Sequence, residues 1–172
     1  IGKEFHFLNG VIMKINLLIF LLIFTYSCSL KKYDKTLYVG NNNYWTDDFS
    51  EIELVMSYII DGKDYRIMRK MNYTEKIDFL DSYWIKLDPN TSTVNNELID
   101  ELNLRVIESK ELFSGFDGGL LSDRAKIYII YGPPNNEYES YIDNFKLITW
   151  EYKTGFHFNF ISDNFGRYKL TN

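Results

Sequence analysis

Two periodicities divide the chain. Apolar residues first recur every three or four positions, and after Gly115 they alternate every second position. In "SEIELVMSYII", Ile52, Val55, Met56, Ile59 and Ile60 keep helical spacing, and Ser50-x-x-Glu53 offers a capping box. "DGKDYRIMRKM" predicts a second short helix begun by Asp61 or Asp64. In "NYTEKIDFLDSYWIKLDP", Ile77, Leu80, Trp84 and Leu87 share a face, Asn72-x-x-Glu75 supplies a cap and Pro89 a stop. A fourth helix places Leu98, Leu102, Val106 and Phe113 along one stripe, flanked by Ile99 and Leu112. Glu97 and Asp100 lie near its start, where the helix dipole favours negative charge.

Beyond Gly115 the alternation predicts strands. "KIYIIY" reads as a strand ended by Gly132-Pro133-Pro134, followed by a loop rich in Asn, Glu and Tyr from Asn135 to Asn144. "FKLITWEY" and "FHFNFIS" are two further strands, joined by the short connection Lys153-Thr154-Gly155. Phe156, Phe158 and Phe160 then share one face, and His157 and Asn159 the other. "DNFG" is a turn, "RYKLTN" a last strand, and no internal repeat is visible. The expected architecture is α+β, a helical N-terminal half packed on a small antiparallel sheet of about four strands.

The N-terminus reads as an address. Met13 and Lys14 precede the apolar run Ile15–Phe24, which is well short of the ~20 residues of a membrane-spanning helix and fits a secretory signal peptide. Cys28, the single cysteine, ends this signal at a position that resembles the lipobox of bacterial lipoproteins, where the cysteine is lipidated and becomes the first mature residue. Ser27 fits the small residue before it, whereas Thr25 and Tyr26 depart from the commonest pattern. The expected organisation is therefore an overextended gene start at 1–12, a signal peptide at 13–27, a tether at 28–48 and one domain at 49–172. Lipidation at Cys28 would anchor the chain to a membrane, each buried methylene contributing ~0.8 kcal/mol. The expected location is the bacterial cell envelope, with the outer membrane as the first expectation. With one cysteine, no intrachain disulfide can form.

Composition narrows the classes. Of 172 residues 45% are apolar and 25% charged, as in one globular domain. Aromatics reach 17%, so rings can build the core. The net charge of −5 argues against nucleic acid as a partner, because phosphate binding needs a clustered basic face. Lys31 and Lys32, just after the apolar run, make a basic pair, a small patch for anionic lipid.

From about Tyr73 to the C-terminus the residues line up in order with a known pattern: Trp84, Asp88-Pro89, Asn96-Glu97 and Arg105, then Asp123-Arg124, Ile127-Tyr128 and Tyr131-Gly132-Pro133-Pro134. Trp150-x-Tyr152 and the closing Phe158, Phe160, Gly166 and Tyr168 complete it. The stretch resembles the GWxTD-domain family of bacterial proteins. The departure falls on the naming motif, which is here Gly119-Leu120-Leu121-Ser122-Asp123. Serine keeps the hydroxyl of threonine, and leucine replaces tryptophan. If that tryptophan formed a ligand platform this chain has lost it, and if it filled the core leucine is a smaller substitute. The resemblance implies a fold and an envelope location, and it implies no enzymatic activity.

The candidate chemistry is sparse. Asp123 and Arg124 can join Asp88, Glu97 and Arg105 in a charged site, or brace helix against sheet through an Arg–carboxylate network. Gly132-Pro133-Pro134 lacks the glycines, N–H donors and Lys-Ser/Thr of a phosphate loop and reads as chain reversal. His157 is the one histidine after Cys28, so a histidine metal cluster within one subunit is excluded and no metal or cofactor is expected. Tyr131, Tyr138, Tyr141 and Trp150 can line an aromatic groove for glycans or peptides, or pack against the sheet. The expected function is a non-catalytic envelope lipoprotein whose domain binds another, unidentified envelope protein. The alternatives are a glycan- or peptide-binding module and a hydrolase using Asp123 with a second carboxylate.

Overall fold

The computed structural model describes residues 38–39 and 42–171. The signal peptide, Cys28 and residues 1–12 lie outside the described residues. The described residues all fall in one compact unit. It opens with a short antiparallel pair, β1 (Tyr38–Val39) and β2 (Asn42–Asn43). Four helices follow: α1 (Phe49–Ile59), α2 (Gly62–Met68), α3 (Tyr73–Leu87) and α4 (Glu97–Leu112). Two 3₁₀ turns, Gly115–Asp117 and Gly119–Leu121, lead into α5 (Asp123–Tyr131). The chain then forms β3 (Asn136–Ile142), β4 (Phe145–Glu151), β5 (His157–Ser162) and β6 (Tyr168–Leu170). These four make one antiparallel sheet in the order β3-β4-β5-β6, so the chain is α+β.

The helices begin where polar side chains satisfy their free N–H groups. Asp48, rather than Ser50, caps α1 by accepting from Ser50 N. Asp61 caps α2 through Lys63 N. Asn72 and Glu75 form the predicted box, with Glu75 N 3.0 Å from Asn72 Oδ1 and Asn72 N 2.8 Å from Glu75 Oε2. α3 stops at Leu87, one residue before the Asp88-Pro89 pair whose first member is held extended by the proline ring.

Two expectations are corrected. "KIYIIY" is not a strand; it lies in α5, capped by Ser122 Oγ, which accepts from Ala125 N at 3.0 Å. The segment from Asn135 to Asn144 is not a loop; it holds β3 and a two-residue turn, Asp143-Asn144, between the paired Ile142 and Phe145. Asp143 takes a φ of 54°, the left-handed conformation that such a tight hairpin turn requires.

The first correction follows from the position of α5 between two apolar clusters. On one side Ile52, Val55, Met56, Met68, Leu80, Trp84, Leu102, Val106 and Leu120 form a core among the helices, which Ile129 joins. On the other, Phe113, Ile148, Trp150, Tyr152 and Phe160 form a core on the sheet, which Ala125, Ile127 and Tyr128 join. A helix buried on two sides carries apolar residues nearly all round, and its sequence then mimics a buried strand. β3 is the reverse case, exposed along all seven residues, so it shows no apolar alternation.

Tyr44 corrects the boundary of the tether. It is buried in the helical core, and its hydroxyl accepts from Trp84 Nε1 at 2.7 Å. Trp45 Nε1 donates to Glu51 Oε1 at 2.6 Å. The folded body therefore begins before Asp48.

Candidate functional site

The residues of the family-like pattern gather at the two ends of α5. At its start, Gly118 takes a φ of 106° and Gly119 of 61°, which lets the chain fold back so that Gly119 N donates to Phe113 O at 2.8 Å. Leu120 is buried in the helical core, its carbonyl accepts from Tyr58 Oη at 3.0 Å, and it borders an open depression lined also by Leu54, Glu51 and Lys110. The position that differs from the family motif is thus a packing position here. Leu121 beside it is exposed.

Arg124 lies in a sandwich. Its guanidinium carbon sits 5.0 Å from the ring centre of Phe113 and 4.0 Å from that of Tyr168. Its Nε donates to Asp117 Oδ2 at 2.9 Å, and Asp117 is buried. Asp117 Oδ1 accepts from Tyr168 N at 2.8 Å, and Asp123 Oδ2 accepts from Leu170 N at 2.9 Å. Both N–H groups belong to the outer edge of the sheet. Tyr152 N donates to Phe156 O and Thr171 N to Asn159 O, which sets the phase of the ladder. In an antiparallel sheet bonded pairs alternate with non-bonded ones, so even-numbered residues join β4 to β5 and odd-numbered residues join β5 to β6. Tyr168 and Leu170 therefore point their N–H groups away from β5, straight onto the two carboxylates. Asp117 and Asp123 close this edge.

We expect Asp117→Ala to cost about 3 kcal/mol, because it strips a half-buried arginine and a backbone N–H of one shared acceptor. Asp123→Ala removes one acceptor of one N–H and should cost about 1 kcal/mol. Urea titration ranks the two, and faster amide exchange at Leu170 in Asp123→Ala reads the opened edge directly.

At the far end of α5 the organising group is Arg105, buried on α4. Its NH1 donates to the carbonyls of Ile130 at 3.0 Å and Ile129 at 3.3 Å, the last turn of α5, and its Nε pairs with Glu101 Oε1 at 2.8 Å. Gly132 lies flat on this guanidinium. A Cβ there would stand 3.2 Å from Arg105 Cζ, and the residue's φ of 78° with ψ of −168° is a glycine conformation. Its N–H donates to Tyr128 O at 2.7 Å and its carbonyl accepts from Tyr152 Oη at 2.9 Å. Gly132→Ala should cost about 3 kcal/mol, combining backbone strain with the close contact, and a melting curve checks it. Tyr128 Oη donates to Glu108 Oε2 at 2.8 Å. Burial, and then the neighbouring carboxylate, push the Tyr128 phenol well above its ordinary value, and burial does the same for Tyr152.

The remaining pattern residues brace the α3–α4 connection. Asn96 caps α4 through Leu98 N and donates from Nδ2 to Trp84 O at 2.9 Å. Asp88 Oδ1 accepts from Asn90 N, and Glu97 Oε1 accepts from Thr93 Oγ1. Asp88 and Glu97 thus serve their own loop rather than joining Asp123 and Arg124. Pro133 and Pro134 follow the Gly132 turn, and Tyr131 packs its ring on Tyr152, Phe156 and Phe158.

Trp150 is buried, and its Nε1 donates to Glu137 Oε2 at 2.6 Å. Tyr138 and Tyr141 are exposed, but three positions apart on a strand they face opposite sides of the sheet. These three rings do not share a groove. Among the described residues no cluster of three His, Cys, Asp or Glu side chains is placed to hold a metal ion. Sequence reasoning missed Asp117, Glu101 and Glu108. The spacing Glu101, Arg105, Glu108 on one helix flank was a readable signal, and Asp117 between two glycines was not.

Residues 23–171, most of the chain, match the family model described as the GWxTD domain. No curated protein and no solved structure matches the chain.

Proposed function

This chain belongs to the GWxTD-domain family, and from that premise we propose that it is a non-catalytic lipoprotein of the bacterial cell envelope whose domain mediates protein–protein interaction. The observation that carries the reading is where the pattern's charged groups spend their bonds. Arg105, Asp123 and Arg124 each bind inside the domain, at the two ends of α5. They frame a sheet whose β3 strand stands exposed along its whole length. A rigid frame presenting a strand suits a protein ligand, because exposed backbone groups of an edge are read by another chain.

The envelope address rests on the signal-like run and Cys28. Metabolic lipid labelling should mark the wild type and leave Cys28→Ala unlabelled. Cross-linking in intact cells, followed by purification from solubilised membranes, should then recover one partner in constant ratio to the wild-type protein. Repeated recovery of the bait alone would sink the interaction reading, and equal labelling of Cys28→Ala would sink the anchor.

A further inference from the structure

We propose that the free edge of β3 is a docking site for an extended basic segment of a partner protein, which adds to the sheet as a fifth strand. The inference rests on the interaction reading above and gives it a surface and a chemistry. The phase of the ladder carries it first. Odd-numbered residues of β4 are not used by β5, so they bond to β3 through Asn136, Tyr138, Ser140 and Ile142. Glu137, Glu139 and Tyr141 consequently turn their N–H and C=O groups outward from the sheet. On the opposite edge the equivalent N–H groups are taken by Asp117 and Asp123. The sheet is sealed at one side and open at the other.

Side-chain chemistry selects the occupant. Glu137, Glu139 and Tyr141 share one face of β3, while Tyr138, Ser140 and Ile142 share the other with Phe145. Tyr138, Tyr141 and Ile142 are at least half exposed. A strand laid along this edge meets Glu137, Glu139 and Tyr141 on one face and Tyr138, Ser140 and Ile142 on the other. Glu137 accepts from Trp150 Nε1 and Glu139 pairs with Lys146, so the first face carries two carboxylates against one ammonium and keeps a net negative charge. Opposite charges across neighbouring strands stabilise pairing and like charges oppose it. The matching segment therefore alternates Lys or Arg with apolar residues. A second copy of this chain is disfavoured, since antiparallel pairing with full overlap sets Glu139 directly against Glu139. Lys146, which pairs with Glu139 at 2.5 Å, is on β4 and leaves the backbone edge clear.

The test uses the full chain in detergent and a labelled peptide of alternating Lys and Val. Glu139→Pro removes one outward N–H and no backbone bond to β4. Its ion pair with Lys146 is lost as well, a loss that Glu139→Gln shares. The fall in peptide affinity beyond that of Glu139→Gln, to at least about tenfold in all, therefore reads the N–H. Glu139→Gln keeps the N–H and should weaken binding about threefold while flattening its salt dependence. Bound peptide should slow amide exchange at Glu137, Glu139 and Tyr141. A peptide of alternating Glu and Val, or the Lys–Val peptide N-methylated at every second residue, should bind poorly. Equal binding by wild type and Glu139→Pro overturns the assignment, as does protection confined to another surface. Self-association in sedimentation that Glu139→Pro abolishes also overturns it, in favour of a second copy. In-cell cross-linking separates the two levels. A partner recovered equally by wild type and Glu139→Pro leaves the interaction reading standing and removes the edge; no partner with either removes both.

Discussion

Above pH 10 the folded unit is expected to lose stability steeply, and to unfold within roughly two pH units. The cause is a set of buried phenols. Burial pushes Tyr44, Tyr128 and Tyr152 well above the ordinary tyrosine value of 10.0, and takes Tyr83 up to about 12. The folded state keeps these hydroxyls protonated at a pH where the unfolded chain has released its protons. The unfolded state then binds fewer protons, so stability is complete below pH 10 and declines as pH rises toward the folded values. Each such phenol contributes about 1.4 kcal/mol per pH unit across that window. Tyr44, Tyr128 and Tyr152 alone amount to about 4 kcal/mol per unit, against a total stability of roughly 5–15 kcal/mol for an ordinary domain. Urea titrations from pH 9 upward, read beside tyrosinate absorbance, test this. Tyr83→Phe should flatten the alkaline slope by up to about 1.4 kcal/mol per unit with little change at neutral pH. A slope that is the same in Tyr83→Phe, with tyrosinate appearing before unfolding, would show that the phenols are not the cause.

Arg105→Met should cost about 3 kcal/mol, among the largest effects of any single substitution in the domain. The methionine stem replaces much of the buried volume, so the loss isolates the guanidinium. Without it the carbonyls of Ile129 and Ile130 lose their donor, Glu101 loses its partner, and Gly132 loses the surface it lies on. Arg105→Lys should recover only part of the loss, because one ammonium cannot serve the carboxylate and the helix end together. Glu101→Gln is the control, at about 1 kcal/mol, since Glu101 is partly exposed and screened by solvent. Chemical denaturation ranks the three. If Glu101→Gln costs as much as Arg105→Met, the ion pair rather than the helix end is what Arg105 chiefly serves.

How far the fold could be read from sequence depended on how each element is buried. α3 was legible to its last turn, because one face is buried, Asn72 and Glu75 announce its start and Pro89 its stop. α4 was legible as a helix, though its buried face runs through Ile99, Arg105 and Ser109 as well as Leu102 and Val106. An arginine within that face carries no periodic signal, since its burial depends on the end of α5 arriving from far along the chain. α5 and β3 were read in exchange, one because two apolar cores hide its polar face and the other because it has no core to face. The count of four strands survived only because the two errors cancelled. Of the candidate site, the order of motif residues was visible, and so was the structural role of Asp123 and Arg124 as one of two readings. Their actual partners were not visible. Asp117 and two backbone amides of β6 come together through turns at Gly118 and Gly166, and no spacing in the sequence encodes that meeting.

The carboxylates at β6 have a consequence for growth by addition. A sheet with two open edges can take a strand on each side, and identical units then string together without limit, which is how cross-β fibres elongate. Here each unit has one edge for extension and one terminated by Asp117 and Asp123. A chain that accepts a strand at β3 offers no second template at β6, so capture stops at one. Such a terminus would let many copies crowd together without polymerising through their sheets.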